Sequence, residues 1–308
     1  MTHMCVRWMI GLLSIGLLAG CGAVETVADE RLQVVATTTM LADLVRVIGG
    51  DEVAVHGLMG SGVDPHLYQA SAGDVTAMEQ ADLVVYNGLH LEGKMADLFG
   101  TLALTGTATL CAADGVEEEW LLFSDDGCTY DPHIWFDVSL WKQVAVYIAD
   151  GLSELDPAEE ECYQENLQGY LQALDTLEIY IKIRVSELEE TQKILITAHD
   201  AFGYFGKSYG FTVLGIQGIS TDSEASTGEV AALADYIVDN GVGAIFIESS
   251  VPIKSIQALQ AAVEAQGFSV SIGGELYTDS LGDEASDTDT YLTTVRANVD
   301  TIVDGLKG

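Results

Sequence analysis

The chain has 308 residues, with 48 Asp and Glu residues against 12 Lys and Arg residues and a formal net charge of −36. A chain this acidic repels nucleic acid and anionic lipid headgroups, which argues against both as partners. Apolar residues make up 48% of the sequence, which excludes a disordered protein and provides material for two cores.

The first twenty residues have the pattern of an export signal. Arg7 supplies positive charge, residues 10–18 form an apolar run, and Leu-Ala-Gly precedes Cys21. The apolar run is too short to cross ~30 Å of hydrocarbon, so a membrane-spanning anchor is the weaker alternative. The Leu-Ala-Gly-Cys tetrad resembles a bacterial lipobox, in which the cysteine is lipidated. We expect a lipoprotein signal peptide at residues 1–20 and a tether at residues 21–31, attached to the membrane through a lipid on Cys21.

Short β-branched runs alternate with amphipathic segments after the tether, and this alternation predicts βαβ units. Strands are predicted at 32–36, 53–58, 83–86 and 107–111, and helical segments near 41–48, 72–80 and 94–102. Asp137 is the expected N-cap of a further helix.

The middle of the chain predicts one long helix over residues 156–192. Asp156 and Pro157 have the pattern of an N-cap and first helical residue, and an apolar stripe continues from Leu167 to Leu188. A helix of about 35 residues would extend ~50 Å.

The alternation then restarts and predicts a second α/β region. Strands are expected at 193–197, 212–216, 244–247 and 269–272, with helices near 202–209, 229–240, 253–265 and 290–306. We therefore predict an α/β fold of two lobes with parallel sheets, residues 32–155 and 193–308, joined by one long rigid helix.

Four residues on different loops are candidate metal ligands: His66, His133, His199 and Asp279. Neutral imidazoles and one carboxylate are ligands that a tetrahedral zinc site, or a related divalent site, uses. His66 and His133 each follow Asp-Pro, and the proline stiffens the turn that carries the histidine. Two candidates fall in each predicted lobe, so we expect the ion in the cleft between the lobes.

Other polar residues have weaker claims. We expect Glu248 and Asp200 to orient the ligands without coordinating the ion, and His90 to be structural or to line the cleft. Among the cysteines, Cys111 could pair with Cys128, because an exported chain permits a disulfide.

Seven segments in order resemble the solute-binding lipoproteins of zinc and manganese ABC importers, the TroA-like cluster A-I family. They are residues 62–68, 86–95, 131–137, 196–205, 215–220, 245–250 and 273–283. The resemblance covers about residues 32–308 and implies two α/β lobes bridged by a long helix. It also implies metal ligation by His66, His133, His199 and Asp279, and delivery of the ion to an ABC permease with its cytoplasmic ATPase. A monomer outside the cytoplasm, in the periplasm or at the cell surface, is expected.

Three imidazoles and one carboxylate favour zinc, whereas manganese prefers more oxygen donors. The resemblance adds that manganese-selective members place a Glu where this chain has His199, and that TroA-like members with this ligand set accept manganese too. Many zinc-dedicated members carry a His-rich acidic loop, but the acidic loop here, which includes residues 117–119, has no histidine. Zinc is therefore predicted, with manganese as the alternative.

Two other functions stay open, a metal-dependent hydrolase and a surface adhesin lipoprotein. Catalytic zinc normally keeps three protein ligands and an open position for water, whereas this chain offers four candidates and no His-Glu-x-x-His motif. We therefore expect a binding protein that is not an enzyme.

Overall fold

The computed structural model describes residues 29, 31–124 and 127–308, and strands alternate with helices along most of this part of the chain. Cys21, the predicted signal peptide and most of the predicted tether lie outside the described residues. Within the described part, no helix is both long enough and apolar enough to cross a membrane.

The first half of the chain, residues 32–155, forms a four-stranded sheet in the order β2-β1-β3-β4, with every pairing parallel. Its strands are β1 (Leu32–Ala36), β2 (Val53–Gly57), β3 (Leu83–Tyr86) and β4 (Ala108–Cys111). Its helices are α1 (Thr39–Gly49), α2 (Ala72–Gln80), α3 (Ala96–Thr105) and α4 (Val138–Leu155). Asp137 caps α4 as predicted, since its carboxylate accepts hydrogen bonds from two backbone N–H groups of the first turn.

The second half, residues 193–308, contains two parallel strand pairs, β5 with β6 and β7 with β8. The strands are β5 (Ile194–His199), β6 (Thr212–Gln217), β7 (Ala244–Glu248) and β8 (Ser271–Leu276). The helices are α6 (Gly203–Tyr209), α7 (Thr227–Asn240), α8 (Lys254–Ala265) and α9 (Tyr291–Lys307). The predicted α/β class with parallel sheets is confirmed.

The long middle helix, α5, spans Glu160–Val185, 26 residues, and is shorter than the predicted segment. Asp156 does not cap it: this residue ends α4, where its backbone N–H donates to the Leu152 carbonyl oxygen. A helix of this length extends roughly 39 Å. It packs against α1 and α4 from the first half and against α9 from the second. The exact lobe boundaries stay a prediction.

The largest of three hydrophobic clusters in the described part of the chain runs through both halves and is not divided at the long helix. Helix α9 belongs to it, although it comes last in the chain. Trp141 of α4 stacks on Tyr291 of α9, with ring centroids 5.2 Å apart. Separating the halves as rigid bodies would therefore expose buried apolar surface, which is unfavourable.

The possible disulfide between Cys111 and Cys128 is not formed in the described part of the chain. Cys111 is a free, half-buried thiol whose Sγ lies 3.7 Å from the Asn87 carbonyl oxygen.

Asp43 on α1 connects the two halves through a hydrogen bond, and burial shifts the pKa of its carboxyl group. Its buried carboxylate accepts a 2.9 Å hydrogen bond from the backbone N–H of Tyr291. Burial raises the pKa of Asp43 from 3.8 to about 6, although the Tyr291 hydrogen bond and Arg46 oppose the rise.

Replacing Asp43 with Asn should flatten the dependence of stability on pH between about 4 and 6. With the raised pKa, the folded state holds a proton that the unfolded chain has lost in this window, so wild-type stability falls as pH rises through it. The wild-type protein should lose about 3 kcal/mol more than the variant across the window, since each pKa unit is worth about 1.4 kcal/mol. Urea unfolding of both proteins at several pH values measures the difference, and parallel curves would contradict the prediction.

Candidate metal centre

The four candidate ligands, remote in sequence, come together at one buried point. His66, His133, His199 and Asp279 each offer a ligand atom, and these atoms lie within 4.8 Å of one another. His199 is the last residue of β5, and Asp279 lies three residues beyond the end of β8. Both sit at carboxyl ends of parallel strands, where open α/β sheets bind ligands.

Several of the donor atoms have a spacing close to that around a small metal ion, and each oxygen of Asp279 lies near a different histidine. The Nε2 atoms of His133 and His199 are 3.4 Å apart. Asp279 Oδ1 lies 3.4 Å from His133 Nε2, and Oδ2 lies 3.4 Å from His199 Nε2. A tetrahedral zinc ion with bonds of about 2.0–2.1 Å has ligand atoms about 3.3–3.4 Å apart. His66 Nε2 is somewhat farther, 3.9 Å from Asp279 Oδ1.

Two of these donor atoms are buried without a hydrogen-bond partner among the described residues, His66 Nε2 and Asp279 Oδ1. Buried polar atoms are nearly always satisfied, because desolvating them without compensation is unfavourable. The unsatisfied atoms face each other, and a cation between them would satisfy both.

The two Asp-Pro-His turns have the same backbone geometry but different outer contacts. The aspartate in each accepts a hydrogen bond from the histidine backbone N–H, at 2.8 Å for Asp64 and 2.9 Å for Asp131. Asp131 also lies 2.7 Å from Nδ1 of His133 and so fixes that ring. Asp64 instead accepts a hydrogen bond from the Thr221 hydroxyl.

Glu248, the last residue of β7, lies beside His199 on β5. Its buried carboxylate accepts from the His199 backbone N–H at 2.9 Å and lies 2.5 Å from Nδ1. A proton on Nδ1 directs the lone pair of Nε2 toward the other donors. These contacts place Glu248 where it could orient the His199 ring, and that role stays a prediction. Asp200 lines the neighbouring cleft, and its backbone N–H donates to Gln217.

Burial and charge set opposite protonation states within the cluster. Burial lowers the pKa of His66 to about 3, even though Asp279 opposes the shift. Burial alone would raise the pKa of Asp279, but the surrounding histidines hold it well below its usual range. Asp279 is therefore an ionised ligand and His66 a neutral one at neutral pH.

His133 and His199 behave differently from His66. Burial disfavours their charged forms, but Asp131 and Asp279 together raise the pKa of His133 to about 9. Glu248 and Asp279 likewise raise the pKa of His199 well above its ordinary value. Protons on these two rings balance the buried carboxylates when no cation is present.

A cleft of about 600 Å³ leads from the surface to the cluster and reaches His66. His90 lines this cleft, as expected, and is exposed outside the four-residue cluster. Two hydroxyl residues next to the ligands, Ser250 and Thr278, were given no role from the sequence, although both lie in segments that carry the resemblance. Their positions in the Glu-Ser-Ser and Tyr-Thr-Asp segments are the sequence signal that could have identified them as neighbours of the site.

Metal-stripped protein should show one neutral and two charged histidines in the cluster at pH 7. Burial keeps His66 neutral, while adjacent carboxylates keep His133 and His199 protonated. Imidazole nitrogen chemical shifts measured between pH 5 and 10 would test this. The prediction fails if His133 is already neutral at pH 7 or if His66 becomes charged above pH 5.

The chain matches one protein family and is similar to several known metal-binding proteins. The family model for the periplasmic zinc-uptake complex component A matches residues 34–305. The zinc-binding protein TroA of Treponema pallidum is 43% identical over 299 residues, 96% of each chain. The manganese-binding lipoprotein MntA of Bacillus subtilis is 40% identical over 292 residues, 94% of this chain and 95% of MntA. A solved structure of the Treponema pallidum protein superposes with a TM-score of 0.87, covering 90% of this chain and 99% of that one.

Proposed function

The chain belongs to the periplasmic zinc-uptake complex component A family, and on that premise we propose that it is the solute-binding component of an ABC importer. It captures a divalent cation outside the cytoplasm and delivers it to a membrane permease driven by a cytoplasmic ATPase. The observation that carries this proposal is the meeting of four buried candidate ligands, two of which have a donor atom without a hydrogen-bond partner among the described residues.

Zinc is the proposed cargo, with manganese as the alternative. Three nitrogen donors and one carboxylate favour zinc, which also exceeds manganese in the general order of divalent affinity. Relatives carry different metals in their names: TroA is a zinc-binding protein, and MntA a manganese-binding lipoprotein. Metal selectivity therefore depends on more than the overall fold.

Binding without catalysis is supported by the site itself. All four donors converge on one point, whereas catalytic zinc leaves a position open for water. The names of the matched relatives are those of binding proteins and offer no support for the hydrolase alternative. A surface adhesin role would be additional to metal capture.

The proposed protein is a monomer held at the membrane by a lipid on Cys21, which lies outside the described residues. Lipoprotein is part of the name of several relatives, including MntA of Bacillus subtilis. Placement in the periplasm or at the cell surface follows from that anchor.

Release of the ion is proposed to use loop motion with at most a small rotation of the halves. Buried hydrogen bonds hold the halves together beside the site: Trp135 donates to the Thr278 carbonyl oxygen at 3.1 Å, and Tyr291 donates to the Trp135 carbonyl oxygen at 2.7 Å. At the cleft, half-buried contacts such as the Gly62 N–H to the Ser280 hydroxyl are easier to break. Small loop shifts can therefore open the site while the core stays packed.

Replacing His133 with Ala should abolish most of the thermal stabilisation that zinc gives to metal-free protein. A ligand specific to the folded state at about 1,000 times its dissociation constant adds about 4 kcal/mol, or roughly 10 °C in a chain of this size. Replacing His90, which lies in the cleft outside the cluster, is the matched control and should leave the zinc-induced shift intact. Differential scanning fluorimetry with and without zinc measures both. An unchanged shift in the His133 variant would remove that residue from the site.

Zinc binding should release about two protons per ion at pH 7. His133 and His199 are protonated in the metal-free site, and Nε2 cannot hold a proton and a metal together. Two departing protons match the two charges of the arriving ion. Affinity should then rise with pH, by about tenfold per released proton for each pH unit, until the rings deprotonate. Calorimetry in buffers of different ionisation enthalpy counts the protons, and a count near zero at pH 7 would contradict the prediction.

A further inference from the structure

The peptide unit between Pro132 and the candidate ligand His133 is held at both of its polar groups. The His133 N–H donates to Asp131 Oδ1 at 2.9 Å. On the other side of the unit, the side-chain amide of Asn87 donates to the Pro132 carbonyl oxygen at 3.0 Å. A peptide unit is planar, so holding both groups fixes the orientation of the plane that contains the His133 N and Cα atoms.

Asn87 follows the last residue of β3 and is almost completely buried. Its backbone carbonyl oxygen accepts a 3.0 Å hydrogen bond from the Ala113 N–H, and its own N–H donates to the Glu92 side chain at 2.8 Å. The amide that contacts Pro132 therefore extends from a backbone that is itself held on both sides.

Glu92 connects Asn87 to the rest of the sheet. Its buried side chain accepts hydrogen bonds from the backbone N–H groups of Asn87 and Gly88, at 2.8 and 3.2 Å, and from the Thr37 hydroxyl at 2.6 Å. Thr37 follows the last residue of β1, which pairs with β3. One side chain thus joins the carboxyl ends of two neighbouring strands.

The turn that Glu92 holds has a backbone conformation that residues with a side chain rarely adopt. Gly88, Leu89 and His90 have φ angles of 84°, 52° and 64°, all in the left-handed region. A Cβ at Gly88 would also collide with Cys111 Sγ. Such a conformation persists only where the surrounding contacts impose it. Loss of the Glu92 contacts should therefore let the turn relax and displace Asn87.

We propose that Asn87 is a positioning residue for His133 and that Glu92 keeps Asn87 in place. This inference rests on the proposed function of metal capture. A ligand that is already held in the binding geometry loses little conformational entropy when the ion binds. The hydrogen bond from Asn87 therefore contributes to metal affinity although Asn87 does not touch the ion.

Asn87→Ala should lower the zinc affinity about tenfold, the lower end of the usual effect of removing a group behind a metal ligand. Asn166→Ala is the matched control, because the Asn166 amide also donates to a backbone carbonyl oxygen at 3.0 Å, that of Ile48. Both variants should unfold at lower urea concentration than the wild-type protein when metal is absent. Asn166→Ala should nevertheless keep the wild-type zinc affinity. Competition titrations against a chromophoric chelator measure the affinities.

Glu92→Gln tests the second step. A glutamine amide would direct N–H hydrogens at groups that already donate, so this variant should also lower the zinc affinity. If Glu92 acts through Asn87, adding Glu92→Gln to Asn87→Ala should lower the affinity no further, whereas independent effects would add. Thr37→Val, which removes one donor from Glu92 and keeps the shape of the side chain, takes the place of Glu92→Gln if that variant does not fold.

Cobalt(II) absorption spectra of the same proteins show whether the donor atoms have moved. The visible bands of the bound ion should shift in Asn87→Ala and keep their wild-type positions in Asn166→Ala. A loss of stability alone would leave the bands unchanged.

The possible failures are distinguishable. A wild-type zinc affinity and cobalt spectrum in Asn87→Ala, or an equal loss of affinity in Asn166→Ala, would overturn the positioning role and leave metal capture standing. Additive losses in the double variant would overturn the role of Glu92. A wild-type protein that binds neither zinc nor cobalt would overturn the proposed function, and the inference with it.

Discussion

The arrangement of the site depends on one carboxylate, Asp279, held among three imidazoles in the protein interior. Its two oxygens lie 3.4 Å from nitrogen atoms of two different histidines, and it is almost completely buried. An ionised carboxylate in such a place is tolerated only when positive charge is close to it. Protons on two of the rings supply that charge in the metal-free protein, and a divalent ion supplies it in the proposed loaded form. The buried charge is thus similar before and after binding.

The carboxylates behind the histidines complete this arrangement. Asp131 contacts the outer nitrogen of His133, and Glu248 contacts that of His199. Among the described residues, no carboxylate forms a hydrogen bond with the His66 ring, and burial makes His66 the neutral member of the set. The three imidazoles therefore have the same residue type but different electrostatic roles. The residue types of the candidate ligands alone therefore do not describe the electrostatics of this site.

The sequence was sufficient to predict the fold class and the four candidate ligands that come together, but not the contacts behind them. Alternating strands and helices predicted the α/β class, and the two Asp-Pro-His turns indicated His66 and His133. The family resemblance supported the complete set that includes His199 and Asp279. The last strand was predicted to end at residue 272, yet it continues to Leu276 through Gly273 and Gly274. Glycines weaken a strand in isolation, but here a Cβ on Gly273 would lie 2.7 Å from the Phe246 ring, so close packing requires glycine. The contacts of Ser250 and Thr278 depend on which side chains face each other after β7 and β8 end, and a one-dimensional pattern does not contain that information.

Helix α9 comes last in the chain but packs into the core that the first half begins. If the proposed function is correct, the binding site is largely formed before the metal ion binds. Little conformational entropy is then lost when the ion is captured. The empty and filled forms would then differ little in outline. A permease that distinguishes the empty form from the filled form would have to recognise the loops at the mouth of the cleft, such as the loop that carries His90. The shape of the whole molecule would not distinguish the two forms.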